Sequence, residues 1–243
     1  MKNKGLSLIE LLISMTILSI VLAVITQIWL SIQRDVLINR IDSELERGVS
    51  LAISNLNSDI SKASVIYTPG FTIYLQDNSG SNYGFGTFTS FITGSQALVL
   101  AIPIRSNIYR FNIYITKQRT GSLYDSANPN SRFLLKYSID LSWTPTYSSG
   151  NITNLRNNFT FTSTQKPILL TDYLDSDGFI VKYLYLDLIP GHSNVYSYFE
   201  LTPANYTSGR KVQLLDISIK AKRRIGNTQR ERTATITLSP ATF

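Results

Sequence analysis

Hydrophobic and polar positions divide the chain into three regimes. From Leu11 through Gln33 no residue is charged and none is proline, a run of roughly 35 Å as a helix at about 1.5 Å per residue, enough to cross a bilayer. Beyond it, Leu37, Ile41, Leu45, Val49, Ala52, Leu56 and Ile60 recur at intervals of three or four, while Arg34, Asp35, Arg40, Asp42, Glu44, Glu46 and Asp59 occupy the other faces. That is the period of an amphipathic helix with one stripe for packing. The two regimes join without a breaker, which predicts one helix from about Leu6 to Ala63, roughly 85 Å long. Gly48 costs helix stability and marks a bend or a close packing contact. Pro69-Gly70 closes the region.

After Pro69 the apolar residues come in short runs rich in β-branched and aromatic side chains. Phe71 to Leu75, Ala97 to Ile104, Ile108 to Thr116, Phe133 to Leu141, Phe179 to Leu188 and Val195 to Leu201 read as strands separated by Gly-, Ser-, Asn-, Asp- and Pro-rich segments. Asp77 to Gly94 and Thr120 to Ser131 are longer than hairpin turns and read as surface loops. Lys211 to Leu238 is the clearest hairpin. Leu215, Ile217, Ile219 and Ala221 alternate with polar residues, Gly226-Asn227 supplies the turn, and Ala234, Ile236 and Leu238 alternate again. The expected fold class is α+β, with a long N-terminal helix, membrane anchor and stem together, packed on a mainly antiparallel β head.

Charge gives this layout a direction. Lys2 and Lys4 precede the apolar run and hold the N-terminus in the cytoplasm by the positive-inside tendency, sending the head outward. An ordinary secretory signal is cut at small residues after its apolar stretch, and no good candidate stands between Ala23 and Ser31. The chain has no Cys, which excludes disulfides, thiolate metal ligands and a thiol nucleophile. A net charge of +7 favours contact with anionic polymers or membrane surfaces without bearing on fold.

Glu10 is what an ordinary anchor does not explain. A carboxylate at the edge of an apolar block is costly unless paired, protonated or functional. The stretch Gly5-Leu6-Ser7-Leu8-Ile9-Glu10-Leu11-Leu12 resembles the type IV prepilin processing motif: a Gly before the cut, an apolar residue after it and a Glu at the fifth mature position. Leu6 stands where Phe is commoner and Ser7 where Thr is commoner, and both keep residue character. The resemblance implies that a prepilin peptidase cuts between Gly5 and Leu6 and methylates the Leu6 amine. That amine, positively charged, would neutralise Glu10 of its own or a neighbouring subunit and help set register in a filament. The implied division is a leader (1–5), a transmembrane and filament-core helix (6–33), an amphipathic stem (34–66) and an extracytoplasmic β-rich head (67–243). Pilins often carry a helix-breaking Pro in the membrane half, which this sequence lacks.

The order of elements and the size of the head are similar to PilW-like minor pilins and to J-type pseudopilins of type II secretion. This implies a subunit that primes or caps a type IV pilus or a secretion pseudopilus. It would sit first in the inner membrane and then in a surface or periplasmic filament. The implied partners are the prepilin peptidase, other pilins or pseudopilins and the inner-membrane assembly platform. No cofactor and no enzymatic activity are expected.

Other chemistry is sparse. His192 is the only His, so a His/Cys zinc site is excluded and any Ser-His-Asp triad would depend on one loop histidine. Asp172, Asp175, Asp177 and Gly178 suggest a calcium loop, but the EF-hand register fails at Tyr173 and no Glu closes it. An Asp-Gly turn between strands is the better reading, and no metal site is expected. No G-x-x-x-x-G-K-[ST] loop is present, so assembly energy must come from a separate motor. Lys220, Lys222 and Arg224 alternate onto one face of the last hairpin, with Arg223, Arg230 and Arg232 near its turn. They either contact DNA phosphates, as in a tip receptor for DNA uptake or adhesion, or guard an exposed sheet edge. The lack of a nucleic-acid fold signature favours the edge.

Overall fold

The structure is a computed structural model that describes residues 8–85, 87–148, 151–152, 159–202 and 212–240. The chain divides into two units, Met1–Glu44 and Leu45–Phe243. A single helix, α1 (Leu8–Ile60), begins in the first and ends in the second. Its C-terminal end lies a turn short of the expected Ala63, where the chain leaves for the first strand.

The second unit holds strands β1 (Val65–Ile66), β2 (Thr72–Asp77), β3 (Thr89–Ile92), β4 (Ala97–Arg105), β5 (Ile108–Gln118), β6 (Arg132–Ser142) and β7 (Tyr147–Ser148). Then come β8 (Asn151–Ile152), β9 (Phe159–Ser163), β10 (Ile168–Leu188), β11 (Tyr196–Glu200), β12 (Leu214–Ile225) and β13 (Thr228–Leu238). The main sheet runs β1-β4-β5-β6-β10-β12-β13, with β11 beside the end of β10, and every neighbour in it is antiparallel. A smaller sheet, β3-β2-β9, contains one parallel pair, β2 with β9. Strands β7 and β8 form a separate two-stranded ribbon.

Two faces of the main sheet are buried differently. On one face lies the last part of α1, whose Leu45, Val49, Ala52, Leu56 and Ile60 are buried. Each such side chain contributes about 1.5–3 kcal/mol when fully removed from water. On the other face Val99, Phe111, Ile113, Ile115, Leu135 and Tyr137 join Ile73, Leu75, Phe91 and Phe161 of the small sheet in one cluster. Strand β4 is therefore covered on both sides, which accounts for its continuous apolar run from Ala97 to Ala101, all buried. Strand β12, covered on one side, keeps a strict alternation instead.

Helix and sheet are joined by a buried polar knot. Asp59 and Lys136 are 7% and 8% exposed, and Lys136 Nζ lies 2.6 Å from Asp59 Oδ2. The same oxygen accepts from Tyr114 Oη at 2.5 Å and Asn112 Nδ2 at 2.8 Å. Ser138 Oγ donates to Asn112 Oδ1 at 2.7 Å, and Lys136 Nζ to Asn55 Oδ1 at 3.4 Å. Burial and the Asp59 charge both push the Tyr114 hydroxyl pKa upward, so it stays a donor through the neutral range. Eleven residues before Asp59, at Gly48, a Cβ would stand 2.7 Å from Thr171 Oγ1 and 3.4 Å from Thr171 Cα. Of the two readings of Gly48, close packing is the one observed.

Several expectations need correction. Asp59, placed on the polar face of the stem, is buried because three donors meet it there. Leu37, placed in the packing stripe, is 45% exposed. The segment Asp77 to Gly94 contains β3, and Thr120 to Ser131 contains a 3-10 turn at Gly121–Leu123. Strand β9 was not expected. Strand β10 begins at Ile168 rather than Phe179, so the Asp-Gly segment lies inside a strand and is not a turn between strands. It is accommodated by register shifts against β6 and between Leu174 and Phe179 against β12, with Tyr173 at a φ of 57°. Gly178 is required there, since a Cβ would collide with the Lys220 carbonyl. The final hairpin forms as expected about Gly226-Asn227, with Gly226 at a φ of 53°. Its expected start, Lys211, lies outside the described residues.

Two substitutions test this account by denaturant unfolding of the detergent-solubilised chain. Lys136→Met should destabilise the second unit by about 3–5 kcal/mol, because Asp59 is left a buried charge without its cation, and the pair Asp59→Asn with Lys136→Met should recover much of that loss. Gly48→Ala should cost about 1–3 kcal/mol through the clash with Thr171. An unchanged unfolding midpoint in either single variant would contradict the corresponding contact.

Candidate functional site

The first unit is built for an apolar surrounding. Along α1 the large apolar side chains from Leu8 to Ile32, Trp29 among them, are all exposed, and the helix is long and apolar enough to cross a membrane. Four of its hydroxyls are satisfied without water. Ser14, Thr16, Ser19 and Thr26 each donate to the carbonyl four residues back, those of Glu10, Leu12, Met15 and Leu22, at 2.8–2.9 Å. Such back-bonding satisfies each hydroxyl within the helix, as a hydrocarbon environment demands.

Glu10 sits in the first turn of α1 and is exposed. Gly5 and Leu6 lie outside the described residues. A family model described as "Prokaryotic N-terminal methylation motif" matches residues 1–26. Together with the long apolar helix and the antiparallel sheet on which its end packs, that motif matches the general type IV pilin and pseudopilin architecture. No curated protein and no solved structure matches the chain.

The six basic residues of the last hairpin do not form one patch. Lys220, Lys222 and Arg224 share one face, and Arg223, Arg230 and Arg232 share the other, since side chains alternate along β12 and β13. On the first face, Lys220 Nζ lies 3.4 Å from Glu231 and 3.6 Å from Asp175, and Lys222 Nζ lies 3.8 Å from Asp175. The nearby Glu231 charge raises the Lys220 pKa. Arg224 Nε donates to the Gly226 carbonyl, and its backbone amide donates to Asn128 Oδ1 at 2.6 Å. On the second face the Arg223 guanidinium lies over the Tyr173 ring at 4.2 Å, and Arg119 lies over the same ring at 4.3 Å. Arg119 also pairs with Asp172. Much of this positive charge is thus engaged within the head, which leaves less of it for phosphate.

The remaining candidates separate in the same way. Asp172 faces Arg119 while Asp175 faces Lys220 and Lys222, and among the described residues no group of three or more His, Cys, Asp or Glu could hold a metal. His192 is exposed in the turn after β10, its amide donating to the Ile189 carbonyl at 3.0 Å. Sequence reasoning missed the Asp59 knot. Its signal was present as two polar residues inside apolar strands, Asn112 and Lys136, and one carboxylate beside Ile60.

Neutralising the acids that hold the hairpin lysines tests whether they mask them. Asp175→Asn with Glu231→Gln should move elution of the full chain from heparin to higher salt. It should also steepen the salt dependence of duplex DNA binding by about 0.9 for each further phosphate neutralised. Unchanged elution would show that Lys220 and Lys222 are not restrained by these partners.

Proposed function

We propose that this chain is a minor pilin or pseudopilin subunit. It inserts in the inner membrane through α1 with its head extracytoplasmic, is cut between Gly5 and Leu6, and primes or caps a type IV pilus or a type II secretion pseudopilus. The observation that carries this reading is the methylation motif over residues 1–26, overlapping the start of a helix whose large apolar side chains from Leu8 to Ile32 are all exposed. Such a surface is stable in lipid or against other apolar helices and unstable in water. The reading assigns two environments in sequence to one segment, first bilayer and then filament core.

Glu10 has its own part. Cutting after Gly5 creates a positive amine at Leu6, and in a low-dielectric surrounding that amine and the Glu10 carboxylate each need a partner. Pairing between them, within or between subunits, gives a register that apolar contacts alone do not supply. The partners are accordingly the prepilin peptidase, fellow pilins or pseudopilins and the membrane assembly platform. The head supplies the surface that distinguishes this subunit from others.

Mass analysis of protein extracted from host membranes should find a chain that begins at methylated Leu6. Intact Met1 alone, in cells with an active prepilin peptidase, would remove the proposal. Glu10→Ala should leave the cut largely unaffected and lower incorporation into sheared filaments, read by immunoblot. Normal incorporation of that variant would make the carboxylate incidental.

A further inference from the structure

Lys136, Asp59 and Asn55 bring an amine, a carboxylate and a primary amide together where water is scarce. The Lys136 and Asp59 side chains are each only 10% exposed, and Leu56, Ile60 and Leu134, close to them in sequence, are fully buried. Lys136 Nζ lies 2.6 Å from Asp59 Oδ2 and donates to Asn55 Oδ1 at 3.4 Å. Asn55 and Asp59 stand four residues apart on α1 and so share one helix face. The Asn55 side chain is half-buried, and its Nδ2 donates to the Leu51 carbonyl at 2.9 Å. Free in water at neutral pH, an amine and an amide do not react, because the amine is protonated and nothing holds the two together. Both obstacles are lifted here.

We infer that Lys136 and Asn55 become joined by an amide bond, with Asp59 as the acid–base that carries the protons. The ammonium passes a proton to Asp59 across their 2.6 Å contact, which leaves a neutral pair in a place where two charges are costly. Tyr114 Oη and Asn112 Nδ2 donate to the same Asp59 oxygen and fix the carboxyl group beside the amine. Nζ then attacks Asn55 Cγ. Reacting atoms have to come within about 3–3.5 Å, and Nζ already stands 3.4 Å from the oxygen bonded to that carbon. The last torsion of an Asn side chain is broad, so the amide turns its carbonyl carbon to the amine by giving up the Leu51 contact. As the bond from Nζ to Cγ forms and the bond from Cγ to Nδ2 breaks, Asp59 hands its proton to Nδ2 and takes another from Nζ. Ammonia leaves and Asp59 remains protonated, with nothing oxidised or reduced.

The product replaces a buried ion pair by a neutral amide and a neutral acid, and α1 can no longer leave β6 without breaking a covalent bond. Asp59 is the less suitable acyl partner for Lys136, since it would be consumed as the acyl group and could no longer carry protons. The ion pair is the reactant of this step. The effect of Lys136→Met on unfolding therefore belongs to the unlinked chain, which Asn55→Ser preserves. The inference rests on the head alone and is independent of processing at Gly5.

Intact-mass measurement of the detergent-solubilised full chain, after the folded protein has stood for several days, tests for the bond. The mass should fall short of the sequence value by one ammonia, and trypsin should release Gly48–Lys62 joined to a peptide that runs through an uncut Lys136. Asn55→Ser and Lys136→Arg should keep the full mass. So should Asp59→Ala, which retains both partners but lacks the proton carrier, with circular dichroism checking that each variant is folded. Full mass in the wild-type chain would overturn the inference, as would a link that still forms in Asp59→Ala. Loss of ammonia with Lys136 still cut by trypsin would overturn it too, since that product is a cyclic imide at Asn55. Loss of water with Lys136 joined to Asp59 would assign the bond to the wrong partner and sink it equally.

Discussion

Burial of the Asp59 carboxylate in the last turn of α1 determines where the helix can end on the sheet. The position is unfavourable in isolation, since a carboxylate near a helix C-terminus meets the negative end of the dipole and loses its water. Lys136, Tyr114 and Asn112 converge on one of its oxygens and offset that cost only while all three stay in place. Apolar contact alone is non-directional and would let the helix slide along the sheet. The knot removes that freedom at one end, and the near-contact of Gly48 with Thr171 removes it eleven residues earlier.

With the helix held in this way, the rest of the head follows from how much of the sheet it leaves uncovered. Strands β4, β5 and β6 gain a second cover from the small sheet, and their aromatic and aliphatic side chains fill one cluster. Strands β10, β12 and β13 have no such cover among the described residues, so their outward positions carry Lys182, Asp216, Ser218 and Lys220. That asymmetry turns the last hairpin into a surface element whose lysines pair with acids of its own sheet and whose final strand is an edge. Its charge acts locally, and among the described strands β13 pairs only with β12.

The first unit obeys a different solvent. Its exposed Leu, Ile and Val side chains are a liability in water and an asset in hydrocarbon, and its Ser14, Thr16, Ser19 and Thr26 hydroxyls are satisfied by carbonyls of the preceding turn. Glu10 at the margin of this segment is its charged exception, and the proposed function gives that charge a role. On the proposed reading, the helix that would anchor the chain would also present the surface by which subunits pack.

Local pattern was enough to read the long apolar N-terminal helix, β4 to β6 and the last hairpin, because each is a periodic or continuous apolar signal that needs no distant partner. The motif around Gly5 and Glu10 is equally local, being a linear arrangement of residue types. Strands β3 and β9 were missed because they are short, and they form where each finds β2 beside it. The first half of β10 was illegible for another reason: Asp172, Asp175 and Gly178 favour turns locally, and only pairing with β6 and β12 holds them in an irregular strand. Composition could show six cations near one turn, but which of them face Asp175, Glu231 or Tyr173 depends on chains folded over from elsewhere. The sequence by itself determined the long apolar helical segment and the periods of helix and strand, since these depend on neighbours along the chain. Tertiary structure alone decided the Asp59 knot and the engaged lysines, since these depend on groups far apart in sequence that meet only after the sheet has formed.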